Sequence, residues 1–394
     1  MADLSRLHQL QSKIIDQGAD AFLVTQNIDL YYYTGSMQQG YLFVPASGDP
    51  IFYVRRSVSR AMKEANVQVK DLGSFRAFGK TLASDYPSIF QKNRPILLTE
   101  FDVLPVQLFQ RLQSVIPDAE WADGSKLIRE QRMLKSADEI QKIKEAGRLV
   151  DYAMNQAVAN MRPGMTELEL IQNIEYHLRG QGHHGIMRMR AYNQEIITGM
   201  VAAGRTAAEP TYFEGPAGGQ GLSAASPQGS SRREIQAGEP ILIDIGCNLD
   251  GYVIDQTRTA VFGSLSEKLT KAYEWCESVL RQTASNLKPG VKCDHLYVQA
   301  LQEAEYAGYS EHFMGYGQDR VRFLGHGIGM EIDEWPVLAK GFEYELQPGM
   351  VIAIEPKLIF PGEGVVGIEN SYAVTETGFE KLTISKEGLW VIER

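Results

Sequence analysis

Acidic residues stand inside runs of apolar residues that otherwise read as buried β-strands. Asp244 interrupts the run ILIDI, Glu355 ends the run VIAIE, and Glu369 ends the run VVGIE. An ionised carboxylate in such a strand costs several kcal/mol unless a cation, a basic partner or protonation compensates its charge. The chain is therefore expected to fold so that these acids share a compensating group.

A turn signal places a further acid beside Asp244. The pair Asp250-Gly251 is typical of a two-residue β-hairpin turn. If these two residues form the turn, Asp255 faces Gly246 across the hairpin. Asp244 and Asp255 are then diagonal neighbours on one face, about 7–8 Å apart at the backbone, which is close enough to share a metal site.

Glu355 and Glu369 flank a second turn signal, Pro361-Gly362-Glu363-Gly364. With a three-residue turn over 361–363 the two glutamates face each other directly. With a four-residue turn they point to opposite faces, because strand side chains alternate. A shared site therefore requires the shorter turn or a β-bulge.

His326 adds a nitrogen donor. It lies in the glycine-rich motif GHGIG, where the backbone can approach a ligand closely. A lone histidine in an apolar stretch is more often a core residue than a ligand. Together, four carboxylates and one imidazole would suit two divalent cations about 3.5–4 Å apart. Such ligation favours Mn²⁺, with Fe²⁺, Co²⁺ or Zn²⁺ as alternatives. The expected ligands are Asp244, Asp255, His326, Glu355 and Glu369.

The second part of the chain repeats one order of elements. Capping boxes that begin at Ser136 and Thr166 predict two helices at about 136–180, separated at Pro163-Gly164. Another helix pair from about 266 is broken at Pro289-Gly290. A β-rich stretch follows each pair. This repetition indicates two similar halves that face each other across a cleft. The simpler alternative, that Pro-Gly merely ends helices, explains the pattern equally well.

The first third of the chain alternates helix and strand patterns and predicts a separate small α/β domain. AFLVT and ILLTE read as strands, and YLFVP and IFYV flank a hairpin signal. A chain of 394 residues is too long for one ordinary core. We expect one domain over 1–130 and a second over 135–394, with the boundary in KLIREQRMLK.

Composition excludes several classes of protein. A net charge of −10 argues against nucleic acid or an anionic membrane surface as the main partner. Apolar runs stay below the roughly 18 residues that span a bilayer. The three cysteines have no zinc-site spacing and cannot all pair, which favours a reducing compartment. We therefore expect a cytoplasmic protein without nucleic-acid or membrane partners.

The candidate ligands resemble, in order and spacing, the dinuclear metal site of the prolidase, aminopeptidase P and methionine aminopeptidase superfamily. The words LIDIGCNLDGYVIDQTRTAVFG, GHGIGMEIDEWP and PGMVIAIEP match it, and DAFLVTQNIDLYYYTG looks like the N-terminal domain of the prolidase and creatinase branch. The resemblance implies a pita-bread catalytic domain with pseudo-twofold halves, a homodimer, and hydrolysis of Xaa-Pro dipeptides or N-terminal Xaa-Pro bonds. The filled ligand positions argue against a metal-free creatinase.

Three positions depart from the family pattern. Asp333 stands where the family has a second histidine, and Thr211 aligns best with another family histidine. Gly367 stands where the family usually has an arginine. The metal ligands of the family are retained here, whereas positions that bind substrate in the family are altered. This combination favours the same metal chemistry acting on a different substrate. Asp333 is a candidate for recognising a cation such as a free amine. The alternative is a weakened relic of the family site, in which Asp333 is a solvated or metal-proximal acid.

In the implied mechanism Glu355, itself a ligand, takes a proton from water and passes it to the leaving amine. Arg188 and Arg190, on a predicted strand IMRMR, are candidates for clamping a substrate carboxylate. A solvated strand face is the simpler interpretation of those two arginines. Trp335 is a candidate for lining a substrate pocket, although such residues more often only pack.

Two further features stay open. His183 and His184 end a helix and are expected at the surface, with the alternative that either one takes the place of the missing family histidines. The Gly/Ser-rich stretch 211–233 is either a lid or a solvated insertion. Three functions are thus considered. The first is a dinuclear peptidase that cleaves a small peptide. The second is a related metalloenzyme that hydrolyses a small non-peptide amide or catalyses an elimination, and the third is a metal-binding protein without turnover.

Overall fold

The structure, a computed structural model, describes residues 4–190, 192–193 and 195–393. The first three residues of the expected first domain and Arg394 of the second lie outside the described residues. By its contacts the chain divides into two compact units, Met1–Gln131 and Arg132–Arg394. The division falls within the charged stretch 126–135, where the sequence places the domain boundary.

The first unit is built around one mixed sheet, covered by short helices. Its strands are β1 (Ala21–Val24), β2 (Gly40–Pro45), β3 (Ile51–Val54), β4 (Gln68–Asp71), β5 (Ile96–Thr99) and β6 (Glu120–Asp123). The helices up to residue 133 are α1 (Leu4–Asp16), α2 (Asn27–Thr34), α3 (Val58–Glu64), α4 (Phe78–Asp85), α5 (Pro87–Phe90), α6 (Val106–Val115) and α7 (Ser125–Met133).

The strand order in this sheet is β4-β3-β2-β1-β5-β6. Strand β1 lies inside the sheet, antiparallel to β2 and parallel to β5, and all four of its side chains are buried. Burial on both faces explains why AFLV is uninterrupted by polar residues. The predicted β2–β3 hairpin is confirmed by its antiparallel pairing.

The second unit contains the repeated helix pairs that the sequence predicts. The four helices are α8 (Ala137–Ala159), α9 (Glu167–Gly180), α10 (Glu267–Ser285) and α11 (Cys293–Tyr306). Capping boxes start α8 and α9, because Ser136 and Thr166 each accept from the backbone of the glutamate three residues later and that glutamate accepts in return. The predicted capping boxes are thus confirmed.

Two main sheets and a small hairpin complete the second unit. Its strands are β7 (Gly199–Ala203), β8 (Ile241–Leu249), β9 (Tyr252–Phe262), β10 (Phe323–Gly327), β11 (Glu334–Ala339), β12 (Val351–Ile354), β13 (Lys357–Phe360), β14 (Gly364–Gly367), β15 (Asn370–Val374), β16 (Phe379–Lys381) and β17 (Trp390–Ile392). They pair in the orders β17-β9-β8-β7, β11-β10-β12-β15-β16 and β13-β14.

Each helix pair packs against its own strands. Helix α8 contacts β8 and β9, whereas α10 contacts β12, β13 and β14, and α11 contacts β10 and β11. The expected pseudo-twofold pita-bread domain, preceded by a small α/β domain, is confirmed. No helix in the described part of the chain has the length and apolar character that a membrane span requires.

The predicted strand at IMRMR is wrong. Residues 186–190 follow α9 as irregular chain. The carbonyl of Arg188 accepts a hydrogen bond from the backbone of Ile332, which lies outside any strand. The alternation of apolar and basic residues imitated a strand, but alternation alone supplies no partner for a ladder.

Candidate metal centre

The first hairpin has the predicted register. Asp250 and Gly251 have φ values of 50° and 84°, as a two-residue turn with two left-handed residues requires. Asp255 pairs with Gly246, and Asp244 pairs with Thr257. The two aspartates therefore lie diagonally on the same face of β8 and β9, and the prediction for this hairpin is confirmed.

The second hairpin has the shorter of the two turns considered. Phe360 pairs with Gly364, so the turn comprises residues 361–363. Ile354 pairs with Asn370 in the same register further along the strands. Glu355 and Glu369 occupy the break between these two ladders. They face each other there, which is the arrangement that a shared site requires.

At this break the backbone amides of the two glutamates donate hydrogen bonds to strands outside the hairpin. The amide of Glu369 donates to the carbonyl of Thr257, and the amide of Glu355 donates to the carbonyl of Leu324. Since Thr257 lies on β9 and Leu324 on β10, the second hairpin joins the sheets of the two halves. This junction brings Asp244, Asp255 and His326 to the two glutamates.

His326 lies near the end of β10, which pairs with β11 on one side and β12 on the other. Its Nδ1 lies 3.1 Å from an Oδ1 of Asp333, and its Nε2 lies 3.6 Å from Oε1 of Glu355. The flanking glycines serve strand packing, because a Cβ on Gly325 or Gly327 would lie 2.2–2.3 Å from a neighbouring carbonyl oxygen. The expected close approach of backbone to a ligand is therefore an approach to other strands.

Three of the expected ligands lie close enough together to hold one metal ion. Asp255, His326 and Glu369 are buried, and each offers one ligand atom within 4.8 Å of the other two. Oε2 of Glu369 accepts from Thr257 at 2.7 Å, whereas its Oε1 is buried and finds no hydrogen-bond donor among the described residues. A buried carboxylate oxygen without a donor is costly. One divalent ion would satisfy this set.

Lys357 is a residue of this centre that the sequence analysis missed. Its Nζ lies 2.6 Å from Glu355 Oε2, 2.9 Å from Asp244 Oδ2 and 3.7 Å from Glu369 Oε2. Its side chain is 1% exposed. The available signal was the spacing, because a residue two positions after Glu355 along an extended chain points to the same face.

The electrostatics of the centre indicate too few cations for its acids. Burial raises the pKa of Asp255 well above its ordinary value, and the charges of Glu369 and Asp244 raise it further. Burial also raises the pKa of Glu369, to about 8, against the lowering influence of Lys357. Burial opposes the charge of Lys357, but Asp244 and Glu355 keep its pKa well above 10.5. The ammonium is therefore charged, and its charge does not offset the effect of burial on Asp255 and Glu369.

The centre opens on a cavity with mainly apolar walls. Asp244, Asp255, His326 and Glu355 line it. Its other walls come from the segment before β7, from part of the long loop and from strand β10: Ile196, Ile197, Phe213, Pro216 and Phe323. Residues 213–218 of the stretch 211–233 thus form a wall of the cavity, so this part of the loop is not merely a solvated insertion.

Of the five candidate substrate residues, the structure brings Asp333 to the cavity, where its side chain is 34% exposed. The described lining of the cavity does not include Thr211, Trp335, Arg188 or Arg190. Thr211 donates to the carbonyl of Pro227, and Trp335 packs against Phe342 and Tyr344. Local bonding within the loop and aromatic packing account for the positions of those two side chains.

His183 was expected at the surface, and this expectation is wrong. Its side chain is buried, and its Nδ1 accepts from the backbone amide of Asn248 at 2.9 Å. Burial lowers the pKa of His183. The segment after α9 packs on β8, which the helix pattern alone could not indicate. His184 is exposed, as expected.

The chain is similar to known proteins along most of its length. Residues 141–376 match the model of metallopeptidase family M24, and residues 6–134 match that of the creatinase/prolidase N-terminal domain. An Xaa-Pro dipeptidase of Lactobacillus delbrueckii is 31% identical over 73% of this chain and 70% of its own.

Solved structures agree with this similarity. The prolidase from Pyrococcus horikoshii has a TM-score of 0.81 at 26% identity, and the match covers 97% of this chain and 99% of that one. An Xaa-Pro dipeptidase from Bacillus anthracis has a TM-score of 0.83 at 26% identity, with 99% of both chains covered. The site geometry, the matched regions and these relatives lead to one conclusion: the chain belongs to metallopeptidase family M24.

Proposed function

We propose that this protein is a metal-dependent hydrolase that cleaves the Xaa-Pro bond of dipeptides or of short peptides at their N-terminus. The observation that carries the proposal is the buried donor set of Asp255, His326 and Glu369, with its unpartnered Glu369 oxygen, beside a cavity that Asp255 and His326 line. The relatives named Xaa-Pro dipeptidase and prolidase support the substrate class.

A divalent ion held by Asp255, His326 and Glu369 would supply Lewis acidity that polarises the scissile carbonyl and activates water. Oxygen donors with a single imidazole suit Mn²⁺, with Fe²⁺, Co²⁺ or Zn²⁺ as alternatives. The sequence-based expectation of two ions, with Asp244 and Glu355 as further ligands, meets an obstacle in Lys357. Its ammonium lies between the carboxylates of those two residues.

Glu355 is assigned as the general base of the reaction. It lines the cavity, and its Oε2 accepts a hydrogen bond of 2.6 Å from Lys357, which fixes the orientation of the carboxylate. Its Oε1 lies on the side of His326. A carboxylate held in this way can take a proton from the attacking water and deliver it to the leaving amine.

Asp333 is assigned to positioning His326. Its carboxylate lies 3.1 Å from Nδ1, so it can hold the ring with Nε2 directed at the donor set, as carboxylates behind metal-bound histidines do. Its partial exposure to the cavity also suits recognition of the free amine of a substrate, which is the role that the sequence suggested.

We further propose that the protein acts as a homodimer in the cytoplasm. Cys247, Cys276 and Cys293 are free and buried, which suits a reducing compartment. The dimer is implied by the family resemblance. Light scattering of the purified protein is expected to give twice the chain mass of 44.0 kDa.

The substrate proposal is tested with protein that has been stripped of metal and reconstituted with Mn²⁺. We expect turnover of Xaa-Pro dipeptides and little turnover of matched Xaa-Ala dipeptides. Glu355→Gln removes the base and is expected to lower kcat by about 10²–10⁴-fold. Inactivity on Xaa-Pro with turnover of small non-peptide amides would favour the related metalloenzyme. Inactivity on both panels with metal bound would favour a binding protein.

A further inference from the structure

Lys357 places a positive charge inside the group of acids where the sequence predicted two metal ions. The ammonium contacts Asp244 and Glu355 within hydrogen-bond distance and lies 3.7 Å from Glu369. The lysine side chain is almost completely buried. Two of the five expected ligands therefore each direct one carboxylate oxygen at a cation that belongs to the chain.

The residue opposite Lys357 leaves room for the lysine. Gly367 pairs with Lys357 across the β13–β14 hairpin. A Cβ at Gly367 would lie 2.6 Å from Cγ of Lys357 and 2.8 Å from the carbonyl oxygen of Pro356, which is closer than real Cβ contacts allow. A side chain at 367 would therefore collide both with the stem of the lysine and with the backbone just before it.

The remaining donors suit one ion. Asp255, His326 and Glu369 lie close enough to share a cation, and Oε1 of Glu369 points to no donor in the described part of the chain. A second divalent ion that bridged Asp244 and Glu355 would bind carboxylates whose Oδ2 and Oε2 already contact the ammonium, and it would face a like charge at close range.

We infer that the ammonium of Lys357 takes the place of one of the two ions, so that the centre binds a single divalent ion on Asp255, His326 and Glu369. Lys357 then does part of what a second ion would do for Asp244 and Glu355: it places one positive charge between their two negative charges and holds their orientation. This inference rests on the proposed function only in requiring that one ion binds, and it does not depend on the substrate.

The number of bound ions tests the inference. Purified protein is titrated with MnCl₂ in a calorimeter, and its metal content after dialysis is measured by mass spectrometry. We expect one Mn²⁺ per chain in the wild type and in Lys357→Arg, which keeps the charge. We expect two in Lys357→Ala, which removes the ammonium and opens its space. The Mn²⁺ electron paramagnetic resonance spectrum should change from that of an isolated ion to that of a coupled pair.

Lys268→Ala is the matched control. Lys268 pairs with Glu363 in the turn of the same hairpin, but it is 53% exposed, and its removal should leave the count at one. Two ions in the wild type, none in the wild type, or equal counts in the wild type and Lys357→Ala would each overturn the inference. If Lys357→Ala does not fold, the wild-type count still decides.

The same samples separate this inference from the substrate proposal. One bound ion without turnover of any Xaa-Pro dipeptide would overturn the substrate proposal and leave the inference standing. Two bound ions with normal Xaa-Pro turnover would overturn the inference alone.

Discussion

Two buried groups of charged side chains lie in the second unit, and they differ in how well their charges balance. Glu334 pairs with Arg132 at 2.5 Å and with Lys135 at 3.0 Å. Burial opposes the charge of Glu334, but these two cations lower its pKa to about 2. In the second group, burial raises the pKa values of Asp255, Glu355 and Glu369 instead. The first group is a completed ion pair, whereas Lys357 alone does not balance the acids of the second.

The completed pair predicts a loss of stability in acid. The folded pKa of Glu334, about 2, lies below its ordinary value of 4.5, so its contribution is fully present above pH 4.5 and disappears as the pH falls through 2. From pH 6 to pH 3 this contribution should fall by about 2 kcal/mol. Urea unfolding of the wild type and Glu334→Gln at both pH values measures this contribution. The difference in the free energy of unfolding between the two proteins should be smaller at pH 3 than at pH 6. A difference that is the same at both pH values would contradict the assignment.

At the scale of elements, one buried arginine ties the hairpins to the end of the chain. Arg258 on β9 is completely buried, and it donates to five acceptors. These acceptors lie on β9, at the β14–β15 break, on β15 and in the segment before β17: the carbonyls of Thr257, Glu369, Ser385 and Lys386, and Oδ1 of Asn370. A guanidinium has five N–H donors, so its hydrogen-bonding capacity is fully used.

Replacing this arginine should cost more than replacing an exposed one. Arg258→Met leaves buried carbonyl acceptors without donors, and we expect a loss of about 3–5 kcal/mol in the free energy of unfolding. The matched control is Arg281→Met, because Arg281 is 64% exposed and pairs loosely with Glu277, so its loss should stay within about 0.5 kcal/mol. Urea denaturation measures both. Similar losses in the two variants would refute this role of Arg258.

The hairpins are the elements that the sequence predicts best. Asp250-Gly251 and the turn at 361–363 fix which residues face each other, because turn chemistry determines register and register determines the side-chain face. Two pairs of acids could therefore be expected on hairpin faces, although the sequence left the length of the second turn open and did not show that the two hairpins meet. Helix boundaries followed from caps at Ser136 and Thr166 in the same way.

What the sequence did not predict depends on contacts between distant segments. In the sequence, Lys357 is one residue of an ordinary strand, and only the fold places Asp244, 113 residues away, beside it. His183 follows the end of a helix in the sequence, and only the packing of this segment on β8 buries it. Alternation made IMRMR look like a strand although it has no strand partner. In each case tertiary packing decided, and a local pattern carries no information about it.

For the whole molecule, metal binding should stabilise the folded state. An ion that binds the folded donor set and not the unfolded chain adds about 2.7 kcal/mol when its free concentration is 100 times the dissociation constant. We expect unfolding in urea, followed by tryptophan fluorescence, to shift accordingly between EDTA and Mn²⁺. Asp255→Asn keeps the size of the side chain but removes a charged donor, and it should lose this shift. An equal shift in that variant would mean that Mn²⁺ binds elsewhere.

Lys357 also bears on the order in which the protein is assembled. A metal ion must be captured from the surroundings, whereas this lysine is made together with the chain and no chelator removes it. Asp244 and Glu355 therefore have their counter-charge from the moment that the strands come together. The folded chain can therefore hold these two side chains in position before any metal ion binds. The supply of metal then determines when the protein becomes active.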